Sequence, residues 1–232
     1  MSAGAAIVTG TASGIGAAVA RELSSRGWTV AGLDLNPSPS LAVSRQVDMT
    51  DAAAVEAAVR SIEEECGPIG AAVSAAGYYE QIAISELTRD QWHRMLHVHL
   101  GGLLNLSRAV LPSMVEARGG SVVAISSELA VGGGGFGDAH YSAAKGAMLG
   151  LVRSLAAEFA PQGVRVNAVA PGPTDTPLLP PDSPWREPSY LATLPIGRLA
   201  SPEEVALCVA YLVDAGTFVV GETLNPNSGA VI

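Results

Sequence analysis

A parallel α/β fold is the class that three features of this 232-residue sequence predict. Strand-like and helix-like stretches alternate from one end to the other, a glycine cluster stands where the first strand becomes the first helix, and no linker or internal repeat interrupts the alternation. Short apolar strands regularly separated by helices mean βαβ units, which assemble into one doubly wound parallel sheet with helices on both faces. Composition agrees, because 48% apolar residues, 26 glycines and abundant alanine suit close packing of helices on a sheet better than an aromatic-rich sandwich. The expectation is a single domain over residues 1–232.

The elements follow in order. AAIVT, residues 5–9, is an apolar strand, and a helix runs from about Gly14 to Arg26. WTVAGLD, 28–34, is the second strand, and DAAAVEAAVRSIEEE, 51–65, has the 3.6-residue apolar rhythm of a helix. AAVSAA, 71–76, leads into a long helical region at about 90–117, SVVAISS at 121–127 is a buried strand, and YSAAKGAMLGLVRSLAAEFA at 141–160 is helical. VRVNAVA at 164–170 and a helix near Pro202 to Leu212 complete the alternation. The proline-rich stretch PGPTDTPLLPPDSPWREPSY, 171–190, resists regular helix, and a substrate lid is expected over 172–197.

A net charge of −9 repels nucleic acid and anionic membrane surfaces, so neither is an expected partner. Cys66 and Cys208 stand in no CxxC or Cys/His cluster, which speaks against a disulfide framework and a zinc ribbon. The strand-like run starts too early for a secretory signal, and no apolar stretch reaches the roughly 18 residues of a membrane span; a cytoplasmic location is expected.

TGTASGIG, residues 9–16, places Gly10 at the turn, Gly14 where backbone approaches a pyrophosphate, and Gly16 where helix meets strand, with the helix N-terminus toward the phosphates. This is the Rossmann-like arrangement. Eighteen residues beyond Gly16 the second strand ends at Asp34, whose carboxylate suits an adenosine ribose diol. A 2'-phosphate would be repelled there, since Ser13, Leu35 and Asn36 offer no cation and the nearest downstream arginine is Arg45. The expected cofactor is NAD rather than NADP.

YSAAK sets Tyr141 and Lys145 at i and i+4, on one helix face. A phenol with a reference pKa of about 10 is a poor proton carrier near neutrality, and a nearby ammonium that stabilises phenolate lowers it. Ser127, at the end of the preceding strand, supplies a hydroxyl for the reacting oxygen.

With the glycine motif, Asp34, VDM at 47–49, ISS at 125–127, YSAAK and VNAVAPGPTDT at 166–176 in order, the sequence resembles the classical short-chain dehydrogenases/reductases over almost its whole length. The resemblance implies that Ser127 orients the substrate oxygen, that Tyr141 is the general acid/base, and that Lys145 lowers the tyrosine pKa and binds the nicotinamide ribose. It puts Gly10, Ser13, Gly14, Ile15 and Gly16 at the pyrophosphate, Asp34 and Leu35 at the ribose, and Asp48 and Met49 beside adenine. Ala75, Ala76 and Gly77 would give backbone contacts, and Thr174 and Thr176, after Pro171 and Gly172, would hold the carboxamide. Dimers or tetramers built on the helices at 90–117 and 141–160 are also implied.

Three departures matter. Asn-Asn-Ala-Gly appears as Ser74-Ala75-Ala76-Gly77, which loses the asparagine that braces the sheet; the Ser127–Tyr141 interval is one residue longer than common; and Asn227-Ser228-Gly229 replaces Asp-Gly-Gly. In addition, His99 in WHRMLHVHLGG occupies the position of the catalytic asparagine. It is either a packed neutral substitute or an imidazole that joins the proton relay. A metal role is not expected: His97 and His99 lie about 200° apart on a helix, and HRMLH lacks the glutamate of HExxH.

The expected activity is NAD-dependent interconversion of a secondary alcohol and a ketone, with oxidation of a cis-dihydrodiol to a catechol as alternative. A 3-oxoacyl reductase is less favoured because Asp34 disfavours NADPH, and a catalytically silent dinucleotide-binding scaffold would be free to lose Tyr141 or Lys145. Tyr78, Tyr79, Phe136, Trp185 and Tyr190 fall in loops expected near an apolar or aromatic substrate, or serve as ordinary packing.

Overall fold

The computed structural model describes residues 4–231. Seven parallel strands form one sheet in the order β3-β2-β1-β4-β5-β6-β7. They are β1 Ala5–Thr9, β2 Thr29–Asp34, β3 Val43–Gln46, β4 Ile69–Ser74, β5 Gly120–Ile125, β6 Val164–Val169 and β7 Thr223–Leu224. The helices are α1 Gly14–Ser25, α2 Ala52–Cys66, α3 Arg89–Leu96, α4 Gly102–Glu116, the short α5 Leu129–Gly132, α6 Ala139–Phe159, the short α7 Pro188–Leu191, and α8 Pro202–Ala210.

Strand alternation explains the two layers. Ala5, Ile7 and Leu33 point to the face covered by α2, α4 and α6, where Val59, Leu106 and Val152 pack on them. Ala6, Val8 and Val73 point to the opposite face, covered by Val19 and Leu23 of α1 and Val205 and Val209 of α8. Because both faces are buried, the strands read as continuous apolar runs. Each fully buried Ile or Leu contributes about 1.5–3 kcal/mol through removal from water.

The order of the strands reverses between β1 and β4, and that crevice at the carboxyl ends is where open α/β sheets bind ligands. Helix starts differ in a way that matters there. Asp51 caps α2 by accepting from Ala53 N and Ala54 N, and Thr88 and Ser201 form capping boxes on α3 and α8. Ser13 at the start of α1 makes no side-chain cap and no acid follows in the first turn, so the amide groups at that end stay available.

The sequence reading omitted β3 and β7. VSRQ buries only Val43 and β7 is a two-residue pairing with β6, so neither carries an apolar run. The long helical region at 90–117 is interrupted by a five-residue π turn, His97–Gly101, between α3 and α4. The 172–197 segment contains a 3₁₀ turn at Pro184–Arg186 and α7, and is pinned to its flank by the Thr174–Ala200 bridge. Among the described residues no helix is long and apolar enough to cross a membrane.

The first turn of α1 lies close against the glycine turn at Gly16, where an added Cβ would lie 2.1 Å from the Gly10 carbonyl oxygen. Gly16→Ala is therefore expected to lower stability by about 1–3 kcal/mol, read as a reduced urea midpoint. An unchanged midpoint would mean that the turn yields to the methyl.

Candidate active site

The carboxyl ends of β1, β2, β4, β5 and β6 open onto two connected cavities. The outer one, about 690 Å³, runs from the glycine turn past Asp34 and Asp48 to the Tyr78 loop; the inner one, about 130 Å³, lies between Ser127, Tyr141 and the 171–185 segment. Every residue assigned from sequence to catalysis or cofactor binding lines one or both.

The outer cleft fits a dinucleotide. Gly10 has φ +74, and a Cβ there would meet Ala76 Cα at 2.9 Å, so backbone crosses backbone where only glycine allows it. The uncapped start of α1 points amide groups and the positive end of the helix dipole into the same space. At the far end Asp34 accepts from Ala12 N at 3.0 Å and Asn36 N at 2.8 Å, which fixes the carboxylate at the rim. Arg45 is turned away, its guanidinium paired with Glu65 of α2. The arginine that does line the cleft sits elsewhere: Arg94 lies over the Tyr78 ring at 5.1 Å, and His97 lines the same stretch near Asp48. Thr50 holds Asp48 below the ordinary carboxylate range through its amide and hydroxyl.

The exit of β4 is braced from β1. The Thr9 hydroxyl, fully buried at the end of β1, accepts from Ala75 N at 3.0 Å and Ala76 N at 2.9 Å, tying the β4 exit to β1.

In the inner cavity α6 presents Tyr141 and Lys145 one turn apart, both buried. Lys145 Nζ donates to the Ile125 carbonyl at 2.7 Å and lies 5.6 Å from the Tyr141 ring centroid. The two serines that follow β5 both line the cavity and differ in partner: Ser126 Oγ donates to the Lys145 carbonyl at 3.0 Å, whereas Ser127 Oγ accepts from Leu129 N at 3.2 Å and donates to Glu128 Oε2 at 3.3 Å. Burial pushes the Tyr141 phenol up from its ordinary value, helped by the neighbouring Glu128 and Asp138 carboxyls, while Ser127 pulls the other way. Burial also pushes Lys145 down to about 7. In this protein, then, burial and two carboxyls oppose the lowering of the tyrosine expected from a lysine ammonium.

His99 is buried, and its Nε2 is 2.9 Å from the Tyr78 carbonyl, the geometry of a neutral imidazole donating from Nε2. Its ring stacks on Tyr78 at 5.8 Å and meets Tyr141 edge-on at 5.5 Å. Gly77 makes room, since a Cβ there would fall 2.3 Å from His99 Cε1. Burial first, and the Lys145 charge second, hold the imidazole well below its ordinary pKa. The π turn begins at His97, so the helix carries an irregular carbonyl pattern at this position. His93 and His97 are exposed, and His140 is buried, with burial pulling its imidazole below the ordinary value.

Tyr78, Tyr79 and Trp185 line the inner cavity, with Tyr79 edge-on to Tyr141 at 5.0 Å and Trp185 edge-on to Tyr190 at 4.9 Å. Phe136 is a correction: it is exposed and lines neither cavity, because the glycines around it turn the loop outward. Sequence reasoning missed Glu128, a buried carboxyl that lines the inner cavity beside Ser127. The signal was present as an acid wedged between a strand-end serine and LAV. It also missed Asp138, whose carboxylate accepts from the Tyr79 hydroxyl at 2.6 Å and Gly135 N at 2.8 Å.

Comparison with known proteins follows the same outline. A family model described as enoyl-(acyl carrier protein) reductase matches residues 10–230. The 3-oxoacyl-[acyl-carrier-protein] reductase FabG of Escherichia coli is 33% identical over 234 residues, 97% of this chain and 96% of its own length. The cis-4-hydroxycyclohexanecarboxylate dehydrogenase of Sinomonas cyclohexanicum is 40% identical over 243 residues, covering 97% and 95%. The ligand-free aldohexose dehydrogenase of Thermoplasma acidophilum superposes with a TM-score of 0.91 at 30% identity, over 98% of this chain and 94% of that one. Sheet order, glycine turn and the serine, tyrosine and lysine at the inner cavity all lie within the matched span, and the chain belongs to the short-chain dehydrogenase/reductase family of nicotinamide-dinucleotide oxidoreductases.

Proposed function

We propose that this oxidoreductase is an NAD-dependent dehydrogenase that interconverts a secondary alcohol and a ketone. The observation that carries the reading is the placement of Ser127, Tyr141 and Lys145 on one cavity, joined to a cleft whose far rim is Asp34 with its nearest arginine, Arg45, engaged by Glu65. A bound nicotinamide supplies the hydride acceptor or donor. Ser127 holds the reacting oxygen, Tyr141 takes or gives the hydroxyl proton, and Lys145 anchors the ribose side while its charge biases the phenol. His99 acts as a neutral wedge that sets the Tyr141 ring and the Tyr78 loop. The 172–197 segment serves as the lid, with Leu179 and Trp185 as its substrate-facing residues. The protein works as a homo-oligomer through the exposed sides of α4 and α6.

A second reading, reduction of a 3-oxoacyl thioester, is favoured by the likeness to FabG. Asp34 weighs against it to the extent that such a reductase draws on NADPH. A hydroxycarboxylate substrate like that named for the Sinomonas relative would need a cation, and among the described residues the only lysine or arginine lining the inner cavity is Lys145, already bonded to Ile125 O.

Measured kcat/KM should favour NAD over NADP by at least about tenfold, and Asp34→Ala should relax that preference. Equal use of both dinucleotides by the wild type would remove the role given to Asp34.

Tyr141→Phe keeps the ring and removes the proton, so turnover should fall by about 10² to 10⁴ while dinucleotide binding persists. Because the phenol is pushed up, its base form grows with pH. Alcohol oxidation should therefore accelerate between about pH 7 and 9, and ketone reduction should not. An oxidation rate that falls over this range would contradict the assignment of Tyr141 as base.

For His99 the neutral-wedge reading gives a separate expectation. His99→Asn should leave the pH–rate profile between pH 6 and 8 unaltered, since burial holds the imidazole well below its ordinary value. Loss of an inflection there would show that the ring itself carries protons.

A further inference from the structure

Among the described residues Glu128 is the only acidic side chain lining the inner cavity, and the reaction described above does not use it. It directly follows Ser127, is 6% exposed, and its Oε2 lies 3.3 Å from Ser127 Oγ. None of the ion pairs among the described residues includes it. Burying a carboxyl without a cation is unfavourable, so a purely structural role would be better served by an amide or an apolar side chain. The neighbouring Asp138 differs, for its two oxygens are committed to Tyr79 and Gly135.

The rest of the wall limits what the carboxyl could meet. Leu129, Leu179 and Trp185 are largely apolar, Tyr78, Tyr79, Thr174 and Thr176 add uncharged polar groups, and Lys145 is bonded to Ile125 O. A carboxyl in that wall suits a hydroxyl on an otherwise uncharged molecule. If Ser127 Oγ holds the reacting oxygen at an ordinary hydrogen-bond distance, Glu128 Oε2 is within about 6 Å of that oxygen. That span is about one gauche O–C–C–O step plus one hydrogen bond.

We propose that Glu128 is a specificity-determining residue that accepts a hydrogen bond from a second hydroxyl on the carbon next to the reacting carbinol. The enzyme thereby selects vicinal diols and polyols over simple alcohols and excludes hydroxycarboxylates. The inference rests on the reading of Ser127 and Tyr141 as the reacting pair. In the oxidation the carbinol carbon loses its hydride to NAD and its hydroxyl proton to Tyr141, and the second hydroxyl is unchanged, so a vicinal diol leaves as an α-hydroxyketone with NADH. Burial moves the Glu128 carboxyl up to about 7, so it is an effective partner for a hydroxyl in either protonation state near neutrality.

The test uses matched pairs: cyclohexanol with cis-1,2-cyclohexanediol, and butan-2-ol with butane-2,3-diol, plus cis-4-hydroxycyclohexanecarboxylate. Each is assayed with wild type, Glu128→Gln, Glu128→Leu and Glu128→Lys. The readout is the ratio of kcat/KM for diol over monoalcohol within each variant, which cancels any general loss of activity. We expect a ratio of at least about ten in wild type, an intermediate value for Glu128→Gln, and a ratio near one for Glu128→Leu. Glu128→Lys should shift preference toward the carboxylate. Circular-dichroism melts identify any variant that fails to fold, and Glu128→Gln, of the same shape, then carries the comparison. A wild-type ratio near one, or a ratio unchanged in Glu128→Gln and Glu128→Leu, overturns the role of Glu128 while leaving the dehydrogenase reading intact. Absence of turnover of every alcohol by wild type with either dinucleotide overturns the dehydrogenase reading, and this inference with it.

Discussion

A buried lysine fixes the geometry on which the site depends. Lys145 Nζ donates to the last carbonyl of β5, and Ser126, the next residue in the chain, donates back to the Lys145 carbonyl. These two bonds lock α6 to the end of β5 at one register. Tyr141 stands one turn earlier on the same helix face, and Ser127 is the residue after Ser126, so their meeting follows from that lock. An ammonium removed from water must find acceptors, and the nearest is the strand-end carbonyl; slippage of α6 by one turn would leave the charge without it.

Charge is divided along the cleft. The protein as a whole is acidic, yet the glycine turn directs the uncapped start of α1 into the outer cavity and makes a local anion site out of backbone alone. Asp34 at one end and Glu128 at the other are carboxyls with different surroundings. Asp34 accepts two backbone amides at the rim, whereas Glu128 is buried and moved up to about 7.

His99 shows how one substitution is absorbed. An imidazole is larger than a carboxamide, and it fits because Gly77 has no side chain and because Tyr78 stacks on it. Its bond to the Tyr78 carbonyl then couples the β4 exit to α3 and α4 through the π turn. Thr9, accepting from Ala75 N and Ala76 N, ties the same β4 exit back to the end of β1.

Much of this was legible in the chain itself. Apolar strands five or six residues long, separated by amphipathic helices, determine a parallel sheet covered on both faces, and the glycine spacing determines a tight strand–helix turn, because both depend on local sequence periodicity and backbone freedom. The i, i+4 placement of Tyr141 and Lys145 is likewise a property of any helix. What sequence alone did not decide was whatever depends on a partner far along the chain. The strand β3 exists because β2 offers it an edge, and β7 because β6 does, while their own residues carry little apolar signal. Phe136 faces solvent and Glu128 the cavity for the same reason: neither direction is encoded by the neighbours in sequence. Burial sets the sign of the Tyr141 shift, and burial is a sum over contacts from α6, β5 and the loop after β4, which only the folded chain brings together.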